Sequence, residues 1–139
     1  MRLELYQAEC ARIAQDCASM LDQAKVLFST SGRSLTPLEQ GGVLHALQVL
    51  IENAIGKAKH QLKALGADVP VSAYDAFAAL AQRGLIPPPD LARWNAVVGL
   101  RNRIVHDYMN IDMAQIAAIV QEDRHFFVLD FLHSPLQAP

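Results

Sequence analysis

The chain has 139 residues, of which 52% are hydrophobic, 19% charged and 6% aromatic, with a formal net charge of −2. That length and apolar content exclude intrinsic disorder and are enough for one domain, 1–139, with an aliphatic core of its own. The near-neutral balance provides no overall field to draw in nucleic acid, so such a partner requires a local patch.

The first predicted element follows Leu3, Tyr6, Cys10, Ile13, Cys17, Met20, Ala24 and Leu27, in steps alternating between three and four residues. This is an a/d stripe, which a helix must bury along a partner. Cys10 and Cys17, the only cysteines, lie about 10 Å apart on a straight helix, too far for a disulfide. They read as small core residues in a reducing compartment. The charged start of the chain lacks a secretory apolar segment, and no apolar run reaches spanning length. A cytoplasmic location without membrane attachment is expected.

A polar loop, Phe28 to Ser34, breaks the first pattern. Thr36, Pro37 and Glu39 then form a helix start, with threonine as cap, proline at the first position and glutamate closing a capping box. The predicted second helix buries Val43, Leu47, Leu50, Ile51, Ala54, Ile55, Ala58 and Leu62, and stops at Gly66. Two long antiparallel helices joined by a short loop form the core of a helical bundle. Lys57, Lys59, His60 and Lys63 make a local basic cluster on this helix. Its ordinary reading is a solvated face, and the functional alternatives are a phosphate track or a contact for an acidic partner. Glu52 either approaches a site from this helix or does surface duty.

Ser72 and Asp75 start a short helix through Tyr74, Phe77 and Leu80 to Gly84, and Pro87-Pro88-Pro89 then forbids helix. A fourth helix over 90–108 carries Leu91, Trp94, Val97, Val98, Leu100, Ile104 and Val105, with Trp94 assigned to the core or a dimer interface. Asp112 and Gln115 open a fifth, with Met113, Ile116, Val120, Phe127 and Phe131 on one side, and residues 134–139 read as a frayed tail. The expected fold is all-α, an antiparallel bundle of four long helices plus one short helix. His45, His60, His125 and His133 lack metal-ligand spacing, and there is no phosphate-binding glycine loop, so no metal and no cofactor are expected.

Chemistry concentrates in GLRNRIVHDYMN, Gly99 to Asn110. Cations near a helix C-terminus interact well with its dipole, and Arg103 and Asp107 have a pairable spacing. Those facts alone explain any one of these residues. Together they suggest more. A histidine that titrates near neutral pH can carry a proton, and an arginine can hold a phosphate and stabilise developing charge. Such a pair suits RNA cleavage in which the 2′-hydroxyl is the nucleophile. Arg101 and His106, however, point about 140° apart on a helix. A two-fold dimer along this helix would set each motif beside its copy.

Arg101-Asn102-x-x-x-His106-x-Tyr108, after a Leu/Val-rich helix and before a capped last helix, resembles the R-x4–6-H signature of the HEPN superfamily. In particular it is similar to the HepT-like toxins of prokaryotic toxin–antitoxin pairs. VLIENAIGKAKHQLKALGADVP, SAYDAFAALAQRGLIPP and GLRNRIVHDY follow in that family's order and spacing. The resemblance implies a HEPN-like bundle acting as a metal-independent endoribonuclease, a homodimer with one composite cleft for RNA. Arg101 and His106 would be the catalytic pair, with Asn102 in support. Tyr108 matches the tyrosine that a minimal nucleotidyltransferase antitoxin modifies with AMP to silence the toxin. The alternatives are a non-catalytic helical subunit that recruits substrate for such a nucleotidyltransferase, and a plain structural bundle.

Overall fold

The computed structural model describes residues 3–30 and 32–138. Helices α1 (Leu3–Thr30) and α2 (Pro37–Ala64), each of 28 residues, form its spine. They run antiparallel: Tyr6 stacks on His60 with ring centroids 3.8 Å apart, while Asn53 Nδ2 donates to Cys10 O at 3.1 Å. The inward row of α1 is Cys10, Ala14, Cys17, Leu21 and Ala24. Cys10, Cys17 and Ala24 belong to the predicted stripe, but Met20 is exposed and Leu21 is buried instead. The cause is that α1 packs on α5 and α6 as well as α2, so its buried face is wider than one seam.

The helix starts follow their local chemistry. Thr36 accepts from the Glu39 amide while Glu39 Oε1 accepts from the Thr36 amide, and Pro37 opens α2. Arg33, 2.7 Å away, and the Thr36 amide hold the Glu39 carboxyl down at about 2. Gly66, just past α2, has φ 74°, a left-handed conformation that costs glycine little. Ser72 caps α3 (Ala73–Gln82), and Asp112 caps α5 (Met113–Gln121). A 3₁₀ turn at Pro88–Asp90 leads into α4 (Leu91–His106). The core ring is Trp94: it stacks on Phe77 of α3 at 4.2 Å and meets Phe127 and Phe131 at 4.6 and 4.9 Å.

Three expectations are corrected here. The fifth helix is broken, giving α5 and α6 (Phe126–His133), so the described bundle has two long helices rather than four. Asp123 makes the break at φ 58°, its amide donating to Val120 O and that of Arg124 to Ile119 O. Lys25 of α1 pins the Asp123 carboxylate at 2.8 Å, and the turn swings Phe127 and Phe131 under Trp94.

The basic cluster of α2 is not one solvated face, although Lys63 is exposed. Lys57 is 2% exposed, and its Nζ donates to Phe131 O at 2.7 Å, Leu132 O at 3.4 Å and Ser134 O. It caps the C-terminus of α6, where a cation complements free carbonyls and the helix dipole. Burial pushes its pKa down to about 8. Lys59 donates to Val71 O at 2.7 Å, and His60 is covered by Tyr6. The third correction follows from the same region. The chain after α6 is held rather than frayed, because Gln61 exchanges two hydrogen bonds with the Gln137 backbone, at 2.9 and 2.7 Å.

Candidate active site

The motif occupies the last two turns of α4 and the turn after it. Asp107, at φ −141° and ψ 41°, leaves helical geometry and ends α4 at His106. Its carboxylate accepts from Asn110 Nδ2 at 2.6 Å, so the pairing open to Arg103 and Asp107 by spacing is not made. A 3₁₀ turn, Tyr108–Asn110, follows and turns Tyr108 back against α2. The Tyr108 hydroxyl stands 3.5 Å from the position a Cβ would take at Gly41, in the early turns of α2.

Within α4 the motif side chains divide between two faces. Arg101 follows Trp94 and Val98 along α4, between the buried Val98 and Ile104, and is half-buried. Its Nε is enclosed without a hydrogen-bond partner, and among the described residues its guanidinium has no hydrogen bond or ion pair. Asn102 and His106 share the neighbouring face, four residues apart. Asn102 Nδ2 donates to the hydroxyl of Tyr74 on α3 at 3.4 Å, and His106 is exposed and makes no hydrogen bond among the described residues. Arg101 and His106 thus remain on different sides of a regular helix within one copy.

The two large cavities lie elsewhere. One of about 690 Å³ sits under Pro87, Trp94 and Phe131. The other, about 560 Å³, is a groove between α4 and α5–α6 whose floor is Leu47, Leu50 and Ile51 and whose rim includes Arg103. Arg101, His106 and Tyr108 line neither. The surface at this helix end is mixed: Val105 and Tyr108 are about half exposed and Met109 is 90% exposed, among the exposed polar residues Arg103, Asp107 and Asn110. Glu52 is exposed on α2. No group of three or more His, Cys, Asp or Glu suited to a metal ion occurs among the described residues. No described helix is long and apolar enough to cross a membrane.

Two contacts of this region escape the sequence reading. Tyr74 reads as part of an apolar row and Gly41 as an unremarked helix residue, yet they meet Asn102 and Tyr108 across 28 and 67 positions. No local pattern signals pairings at that separation.

The class is set by the fold: an all-α bundle whose fourth helix ends on a half-buried arginine and an exposed histidine, neither hydrogen-bonded among the described residues. The particular family follows from comparison: the family described as ribonuclease HepT-like matches residues 10–129, and the chain belongs to it. The chain is similar to the mRNA nuclease HepT of Shewanella oneidensis, 35% identical over 82 residues. That stretch is 59% of this chain and spans 62% of the length of that relative. Its fold matches a tri-AMPylated Shewanella oneidensis HEPN toxin solved in complex with an MNT antitoxin. The TM-score is 0.77 at 26% identity, over 91% of this chain and 96% of the other. A toxin–antitoxin structure with AMP-PNP shares the fold at TM-score 0.78 and 24% identity, over 91% and 97%.

Proposed function

We propose that this chain is a metal-independent endoribonuclease toxin, active as a homodimer and silenced when a minimal nucleotidyltransferase antitoxin attaches AMP to Tyr108. The observation that carries this reading is the free Arg101 guanidinium, half-buried, with its Nε enclosed and unpartnered. A cation partly stripped of water and given no carboxylate is costly to keep, and an anion supplied by a ligand offsets that cost. A phosphate matches the planar fork of arginine.

In this mechanism Arg101 binds the non-bridging oxygens of the scissile phosphate. The RNA 2′-oxygen attacks the adjacent phosphorus as its proton passes to the imidazole of His106. The bond from phosphorus to the 5′-oxygen breaks, and the leaving oxygen takes a proton from His106 of the partner subunit. The products are a 2′,3′-cyclic phosphate and a 5′-hydroxyl. Asn102 supports the histidine face. The divergence of Arg101 and His106 on α4, and the exposed apolar side chains of Val105 and Met109 beside them, support a composite site between two copies. In the silencing step, the Tyr108 oxygen bonds to the α-phosphorus of ATP, pyrophosphate leaves, and the phenolic proton passes to solvent. The resulting phosphodiester places negative charge and bulk two residues from His106, where an RNA phosphate must approach. The match to an AMPylated toxin in complex with its MNT antitoxin supports this part of the reading.

The test compares wild type with His106→Ala and Arg101→Ala on single-stranded RNA in the presence of EDTA. Wild type is expected to leave cyclic-phosphate ends, and each variant to lose roughly 10²- to 10⁴-fold in rate. Equal cleavage by wild type and variants, or complete loss of cleavage in EDTA, overturns the proposal. Sedimentation at micromolar concentration should find a dimer.

A further inference from the structure

Tyr74 stands in the first turn of α3 and is 40% exposed, whereas Phe77, three residues on, is fully buried against Trp94. The hydroxyl of Tyr74 accepts from Asn102 at 3.4 Å and lies 3.6 Å from the place a Cβ would take on Gly99. Gly99, Asn102 and His106 are spaced three and four apart, so they form one strip along α4. The tyrosine therefore leans on this strip about one helical turn, roughly 6 Å, before His106. It anchors its oxygen and remains exposed, which is the form of a stacking surface. The absence of a side chain at Gly99 lets the anchored end seat against α4.

We propose that Tyr74 is a substrate-contacting residue that stacks on the base next to the phosphate held by Arg101 and His106. The inference rests on the ribonuclease reading above and adds to it a subsite and a source of preference among RNA sequences. The seat of the side chain against Gly99 holds the ring, and the long hydrogen bond from Asn102 makes a minor contribution to its angle. Stacking on an aromatic side chain holds any base by its π-face and favours the larger ones, so the expected preference is for a purine beside the cleaved bond.

The experiment uses the full-length protein and a short single-stranded RNA cut at one bond. Tyr74→Ala is expected to raise KM roughly 5- to 100-fold, with kcat within about twofold of wild type. Tyr74→Phe and Tyr74→Trp keep a ring and are expected to stay within about threefold of the wild-type KM. An RNA made abasic at the flanking nucleotide should cost wild type what Tyr74→Ala costs, and should cost the alanine variant nothing further. A phenylalanine variant as impaired as alanine, a loss confined to kcat, or an abasic penalty of equal size in both proteins overturns the stacking role. Cleavage by wild type with an unaltered KM in Tyr74→Ala overturns this inference alone. Absence of His106-dependent cleavage in wild type overturns the ribonuclease reading and the subsite with it.

Discussion

Lys57→Met replaces a buried ammonium with an apolar chain of similar length, and its effect on stability should depend on pH. Of the three carbonyls that Nζ serves, Phe131 O also accepts from Ser134 Oγ at 2.7 Å, and Leu132 O from Gln7 Nε2 at 2.8 Å. The carbonyl of Ser134 is therefore the one most exposed to the loss, and leaving such a group unsatisfied costs about 1–3 kcal/mol. Burial acts in the opposite sense, because it brings the Lys57 pKa from 10.5 to about 8. Near pH 7 methionine sheds a charge that folding disfavours, and the two effects offset each other. Between about pH 8 and 10.5 the unfolded chain binds one more proton at this site than the folded chain does. Wild-type stability should then rise with pH by at most about 1.4 kcal/mol per unit, on the order of 3 kcal/mol across the window. The methionine variant has no such gain. Tyr6, Cys10 and Cys17, whose pKa values burial raises, also respond to alkaline pH. Subtraction removes the effects of Tyr6 and Cys17, whereas the Cys10 thiol, held down in part by the Lys57 charge, shifts further up in the variant. Urea unfolding of both proteins at pH 7 and pH 10.5 measures the gap between them. A gap that widens with pH supports the reasoning. A constant gap means that the carbonyls keep the ammonium protonated, and refutes it.

Trp94→Ala removes the ring on which Phe77, Phe127 and Phe131 converge, and should cost about 3–5 kcal/mol, a fall in Tm of about 10 °C or more by calorimetry. Asp123→Ala loses the Lys25 ion pair and forces a Cβ-bearing residue without a polar side chain to hold φ 58°, whereas Asp123→Gly loses the ion pair alone. Alanine should therefore be the less stable of the two by about 1 kcal/mol, read from paired denaturation curves. Co-expression with a minimal nucleotidyltransferase antitoxin should add the mass of AMP to the wild type and not to Tyr108→Phe, whose RNA cleavage should stay within about twofold of wild type.

What was readable along the chain was read from short-range physics. The Thr36–Glu39 capping box, the Ser72 cap and the stop at Gly66 each depend on atoms a few residues apart, and each occurs in the structure where the chain signals it. The candidate Arg101, Asn102, His106 and Tyr108 were legible for the same reason, being compressed into eight residues at one helix end. Lys57 shows the limit. Its neighbours Lys59, His60 and Lys63 make it look like one cation of a solvated row, but three carbonyls 74 to 77 positions away give it a buried role. Asp123 shows another: an apolar period continuing through Phe127 and Phe131 hides a left-handed residue that Lys25 helps to hold.

The sequence by itself determined the helical class, the two ends of α2 and the chemical content of the motif, because helix periodicity and capping are local interactions. Only the tertiary structure decided which cations are free. Arg101 is left without a counter-ion at the edge of the core, whereas Lys57 is spent on the end of α6. The tertiary structure also set Tyr74 against Asn102 and Tyr108 against Gly41. Those outcomes depend on which helix ends meet, and packing settles that across the whole length of the chain.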